Sequence, residues 1–314
     1  MHPAFSVIFF TTLSGAGYGL WFWTMVAIPL LDDQARHSGL ALLVPLALGF
    51  VLVAVGLSSS VLHLGKPLRA WRAFSQWRSS WLSREGVLAM TTFVPLAYFA
   101  AASFSRVPFS NGLGGVAALW LAVGSIATVL CTAMIYASLR PIPAWSHRLV
   151  PAVYLVFALH TGALIALTIG LRTFAIGNEG AALLILLTSM LAWRLKRRYW
   201  QDIDRGVLPV TRNSALGLPA DREIKQFERP HTEANYLTKE MGFVLARKHS
   251  RRLRLIAVLL FALVPALCAL PLWFVPMAHP TPLLALACAS ALLGTFVERW
   301  LFFAEAKHVV MTYY

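Results

Sequence analysis

The sequence predicts an all-α integral membrane protein with eight transmembrane helices and one interfacial amphipathic helix. Three observations predict it. Hydrophobic residues make up 58% of the 314 positions and charged residues 13%, too little charge to cover the outside of a water-soluble chain of this size. Apolar runs of roughly 20 residues recur, each able to cross a hydrocarbon core about 30 Å thick. Lys and Arg gather in alternate intervals between those runs, as they do in cytoplasmic loops.

Spans are expected at residues 4–31, 40–62, 86–103, 114–137, 149–171, 180–193, 253–275 and 282–303. Backbone polar groups in lipid must pair within their own segment, so spans of this length are helices. The first run has no basic region before it and no small-residue cleavage site, and reads as a retained helix rather than a signal peptide. Its TTLSGAGYGL places Gly15, Gly17 and Gly19 where helices can approach closely. The sixth run is short and is expected to continue into WRLKRRYW, with Lys and Arg snorkelling and the aromatics at the interface.

Of the 27 Lys and Arg residues, 22 fall in 63–85, 138–148 and 194–254, and only Arg36, Arg106 and Arg172 in the loops of the opposite side. The whole chain, 1–314, is thus expected to be one multi-pass domain of the cytoplasmic (inner) membrane, with both termini and loop 194–254 in the cytoplasm. Both halves run in the same sense, each with its longest loop after its second span. That pattern is compatible with two four-helix bundles, although no residue-level repeat accompanies it. The net charge of +14 flanks the spans, so membrane lipid and partner proteins, and no nucleic acid, are expected to meet it. Loop 194–254 mixes fifteen cations with seven acids. It reads either as a docking surface or as a solvated linker, and Tyr199, Trp200, Phe227, Tyr236 and Phe243 favour docking.

Interval 63–85 holds the candidate site. His63 falls in the last turn of the second span, ahead of Gly65 and Pro67, where a cation at a helix C-terminus needs no function. Trp71, Phe74, Arg78 and Trp81 recur at helical intervals, with Lys66, Arg69 and Arg72 supplying a basic face, as in a helix lying flat at the headgroups. Ser83 is expected to cap the third span and to put Glu85 in its first turn, a common structural place for a carboxylate. Taken together, His63 and Glu85 would lie at similar depth on neighbouring helices. An imidazole to bond a carbonyl, an acid to relay protons and flat aromatic walls suit a quinone; a plain interface helix is the competing reading.

Other polar residues have structural readings. His160, in mid-span, is expected to bond a neighbouring Ser, Thr or carbonyl. Glu298 and Glu305, seven apart on one face of the last span, either line a polar path or sit as interface charges. Cys131, Cys268 and Cys288 lie far apart in apolar runs with no C-x-x-C, so they read as small core residues, and no iron–sulfur cluster, haem or metal site is expected in this chain.

Four stretches carry a resemblance: MHPAFSVIFFTTLSGAGYGL, HLGKPLRAWRAF with SSWLSREG, PHTEANYLTKEMGFVLARKHSRRLR and ERWLFFAEAKH. Through them the chain resembles, over essentially its whole length, the membrane anchor subunits of dimethyl sulfoxide reductase-type molybdoenzymes (DmsC-like). The resemblance implies a quinone-binding subunit that holds a ferredoxin-like iron–sulfur subunit, which connects to a molybdopterin catalytic subunit. It matches His63 and Glu85 to the family's quinol-binding positions. In dimethyl sulfoxide reductase proper the catalytic subunits are periplasmic. The charge distribution here is instead similar to that of the sulfite-oxidising relatives (sulfite dehydrogenase), whose molybdenum subunit is cytoplasmic. In that setting electrons from sulfite would reduce quinone at His63 and Glu85, with Lys66, Arg72 and Arg78 favouring the reduced ring and docking, and Trp71 and Trp81 as walls. A quinol-oxidising anchor of a reductase, a proton-coupled transporter using His160 or Glu298, and a haem-bearing cytochrome are the alternatives.

Overall fold

The computed structural model describes residues 4–30, 39–61, 66–105, 112–170, 176–206, 211–225, 227–228, 245–274 and 279–312. Among them there are helices and turns and no strand. The elements are α1 (Phe5–Ala27), α2 (Gly39–Val61), a 3-10 helix (Pro67–Gln76), α3 (Trp81–Ser105), α4 (Gly112–Ala137) and α5 (Val150–Thr168). There follow α6 (Gly177–Arg205), the short α7 (Arg212–Ala215), α8 (Leu245–Val258), a π-helical turn (Leu259–Leu263), α9 (Val264–Phe274) and α10 (Thr281–Ala304).

Seven helical segments among the described residues are long and apolar enough to cross a membrane: Phe5–Leu30, Leu42–Val61, Trp81–Phe104, Gly112–Ala137, Val150–Thr168, His249–Phe274 and Thr281–Ala304. α6 has the length, at 29 residues, but the charges of its second half keep it out of that set. The sequence expectation of eight therefore meets seven clear spans and one amphipathic helix. α6 and α8 also run into the two ends of segment 194–254.

Helix α1 lies at the centre, packed on α2, α4, α5 and α10. Small residues make this possible. A Cβ added at Gly19 would fall on the Ala158 carbonyl, and one at Gly17 would come within 2.7 Å of the Val53 side chain. Lipid tails are as apolar as leucine, so helices in a membrane associate through such close packing and through polar bonds between them. Those bonds are present: Trp21 Nε1 donates to the Leu46 carbonyl at 3.1 Å, Trp23 Nε1 to Leu159 at 2.8 Å, and Ser59 Oγ to Ser6 at 3.0 Å. One cluster of buried side chains, from Ile8 and Trp21 through Phe99 and Phe157 to Phe261 and Phe302, runs through both halves of the protein.

The segment between α4 and α5 folds back over one end of the bundle. Trp145 Nε1 donates to the Phe302 carbonyl at 3.0 Å, Tyr199 Oη to Ala144 at 3.0 Å, and the Val309 amide to Pro141 at 3.0 Å. His160 is fully buried between Thr188 Oγ1 and the Phe261 carbonyl, each 2.9 Å from a ring nitrogen. The expected Thr and carbonyl partners are thus both present. The π turn supplies the carbonyl, since its shifted register exposes groups that a regular helix would use internally. Both ring nitrogens are engaged, which leaves no free pair for a metal in this arrangement.

Candidate functional site

His63 lies outside the described residues, and with it the depth relation expected between it and Glu85. Lys66 through Arg78 form a compact, exposed segment: Pro67 opens a 3-10 helix, not the α-helix its spacing suggested, and the backbone turns at Trp77–Ser79. Leu68 is 93% exposed, and Trp71, Phe74 and Trp77 also stand outward. Arg72 leans on Trp71 and Arg78 on Trp77, with the guanidinium 5.7 and 5.4 Å from the ring centroids. Apolar side chains interleaved with cations make a face suited to a headgroup layer.

Arg84 pins this segment to α3. Its Nε donates to the Trp77 carbonyl at 3.1 Å and Nη2 to Arg78 at 2.6 Å, while the guanidinium covers the Trp81 ring at 4.3 Å. Phe74 packs where a Cβ at Gly86 would come within 3.1 Å of its ring. The turn held this way starts α3 at Trp81, two residues before the expected cap. Ser83 is therefore not a cap: it is buried inside the helix, its Oγ without a hydrogen-bond partner among the described residues, and the Ser80 carbonyl receives the Arg84 amide. Glu85 accordingly sits beyond the first turn.

That shift carries Glu85 into the bundle. It is 4% exposed, and Thr132 of α4 donates to its Oε1. When the carboxyl holds a proton it donates to the Thr132 hydroxyl, which donates in turn to the Thr128 carbonyl at 3.1 Å. Glu85 also lies within electrostatic reach of Tyr18, Tyr136 and Tyr154. The expected cations Lys66, Arg72 and Arg78 remain exposed on the segment outside, Trp81 is half-buried, and the side chain bonded to Glu85 is Thr132.

A second polar group lies inside the bundle, where the sequence reading expected Lys196 to snorkel and left Glu298 as either part of a polar path or an interface charge. Lys196 of α6 forms an ion pair with Glu298 of α10, and Arg299 Nη1 lies 3.5 Å from the other Glu298 oxygen. All three are at most 2% exposed. Aromatic faces surround the cations: Arg299 is 3.6 Å from the Tyr154 ring centroid and Lys196 is 4.1 Å from that of Tyr199. Lys196 does not snorkel, in contrast to the exposed Arg194, Arg197 and Arg198 beside it. The readable signal was the spacing of Lys196, Tyr199 and Trp200, which share one helix face.

Between Glu85 and this cluster lies a cavity with room for about one ordered water. Thr12, Thr132, Tyr154, Thr161, Thr295 and Arg299 are among its walls. At the nearby end of the bundle Arg254 bridges two acids, meeting Glu305 at 2.9 and 3.1 Å and Asp204 at 2.6 and 3.0 Å. Burial raises the Glu305 carboxyl above its ordinary value, with Arg254 opposing. His147 Nε2 lies 3.3 Å from Asp202, and burial lowers that imidazole, with Asp202 opposing. Glu298 and Glu305, expected to share a face, thus have different fates: one is sealed inside and one is held in a surface fork.

Comparison with known proteins agrees with this architecture. The protein is 33% identical over 336 aligned positions to the C subunit of sulfite dehydrogenase from Allochromatium vinosum, covering 100% of this sequence and 99% of that one. It is 28% identical over 145 positions to the C component of anaerobic dimethyl sulfoxide reductase from Haemophilus influenzae, covering 46% and 50% of the two proteins. The family described as DMSO reductase anchor subunit (DmsC) matches residues 1–304. With that match across nearly all of its multi-helix membrane architecture, the chain belongs to the DMSO reductase anchor subunit family.

Proposed function

We propose that this anchor subunit passes electrons from sulfite oxidation to quinone, within a three-subunit molybdoenzyme. A ferredoxin-like iron–sulfur partner would deliver the electrons from a molybdopterin catalytic subunit. The observation that carries this reading is the end-to-end similarity to the C subunit of a sulfite dehydrogenase. The local chemistry supports it. Glu85 is a buried acid one layer behind an exposed aromatic and cationic segment, so a quinone headgroup resting on Trp71 and Trp81 would have a proton donor within the protein. His63 would bond a ring carbonyl, and Lys66, Arg72 and Arg78 would attract the reduced ring and the partner.

In this reading α6 is the eighth span. Ala181, Ala182 and Ile185 are buried while Leu183, Leu187 and Met190 face outward, as a lipid-facing helix requires. The Lys and Arg distribution supports a cytoplasmic position for both termini and segment 194–254.

Purified complex, assayed for sulfite-dependent quinone reduction and for sulfite oxidation with an artificial dye, tests the proposal. His63→Ala should abolish the first and leave the second. Unimpaired quinone reduction in that variant removes the site. The second reading, a quinol-oxidising anchor of a reductase, has the partial match to the dimethyl sulfoxide reductase component in its favour. Protease access to segment 194–254 separates the two, a periplasmic segment favouring the reductase.

A further inference from the structure

Glu85 is sealed from solvent, yet in the function proposed above it gives up a proton at each turnover and must be recharged. The question is which groups can reach it from water. Its bonded neighbour Thr132 lines the small cavity, and so do Tyr154 and Arg299. Arg299 touches Glu298, and Glu298 touches Lys196. Lys196 and Tyr199 stand within electrostatic reach of Glu305, which opens on the cleft shared with His147, Asp202, Asp204 and Arg254. Polar groups therefore succeed one another from that cleft to Glu85 through an otherwise apolar core.

Two further features point to water along this line. Thr12 Oγ1 and Arg299 Nε are buried without a hydrogen-bond partner among the described residues. Buried polar atoms in native proteins are nearly always satisfied, by ordered water where no side chain reaches. Second, burying three ionisable side chains is costly where apolar residues of the same volume would pack as well, and in membrane proteins such residues mark ion and proton paths.

We propose that Glu298 and Lys196, with the water-sized cavity beside Arg299, form a proton route from the cleft at His147, Asp202 and Glu305 to Glu85. It rests on the quinone-reducing reading. One proton enters at the cleft for each proton that Glu85 releases; only O–H and N–H bonds form and break, and no electrons move along the route. Glu298 and Lys196 exchange protons. Arg299 keeps its own and holds the carboxylate and the water in place.

The test uses the whole complex with a short-chain quinone. Lys196→Met/Glu298→Gln removes both carriers and leaves net charge unchanged; Thr12→Val removes one cavity hydroxyl at nearly constant volume. The expected result is a kcat for quinone reduction lower by on the order of tenfold or more in the double variant. Thr12→Val should show a smaller loss. The KM for quinone and dye-linked sulfite oxidation should be unchanged in both, and a small permeant acid such as formic acid should restore part of the rate. A purely structural role would not be rescued by an acid. If the double variant does not assemble, Thr12→Val decides, wild-type kcat in it overturning the route. Wild-type kcat in an assembled double variant does so equally. A wild-type complex inert toward quinone overturns the functional reading itself, whereas an active wild type with indifferent variants overturns the route alone.

Discussion

Lys196 and Glu298, about a hundred residues apart in sequence, form an ion pair between α6 and α10 with side chains 1% and 0% exposed. Arg299 leaves the group with one positive charge in excess, which the rings of Tyr154 and Tyr199 partly offset. Such a pair is costly to bury and more costly to break.

Removing Glu298 leaves Lys196 and Arg299 buried together without an acid, at about 3–5 kcal/mol. Glu298→Gln is therefore expected to lower the thermal unfolding midpoint of the purified protein clearly below that of Lys196→Met, in which Glu298 keeps Arg299 beside it. Tryptophan fluorescence on heating measures this. Equal midpoints would contradict the pairing.

The close approach of α1 to α5 makes a sharper packing prediction. Gly19→Ala forces a methyl onto the Ala158 carbonyl and should cost about 1–3 kcal/mol. Gly115→Ala on α4, with nothing within 4 Å of the added carbon, should be neutral or stabilise by about 0.4–1 kcal/mol. The two variants heated side by side give the comparison.

Acid should loosen the end of the bundle at His147. Asp202, Arg148, Lys196 and the Tyr199 ring surround this imidazole, and burial lowers it from its ordinary value of 6.5. A basic group lowered in the folded state contributes stability that is fully present above the unfolded value and lost as pH falls through the folded one. Between pH 7 and acid, wild type should thus lose more of its unfolding midpoint than His147→Phe. Parallel pH profiles for the two would remove His147 as a source.

Much of the fold was legible because burial in lipid imposes long apolar runs. The ends of α2, α4 and α10 fall within about two residues of the sequence expectation. The partners of His160 were legible in kind, since a mid-span imidazole must find a hydroxyl or carbonyl. Three things were not. The start of α3 depends on Arg84 tying down two carbonyls behind it, a bond that capping rules do not anticipate. Lys196 sits in WRLKRRYW, whose charges look alike until the aromatic face they share is paired with Glu298. The turn of Glu85 toward Thr132 follows from the packing of α3 on α4, which no local pattern encodes.

Glu85 and Thr132 should behave as one unit. Thr132→Val keeps the shape of the side chain and deletes the bond to the carboxyl, so it should lower kcat for quinone reduction by more than it changes KM. A shift in KM alone would point to headgroup binding rather than proton supply.

The most direct test of the account is the rate of sulfite-dependent quinone reduction by the assembled complex carrying Glu85→Gln. The carboxamide fills the same space and cannot pass a proton on. The account predicts a loss on the order of 100-fold or more, with dye-linked sulfite oxidation and subunit assembly as in wild type. A Glu85→Gln complex that reduces quinone at the wild-type rate would contradict it.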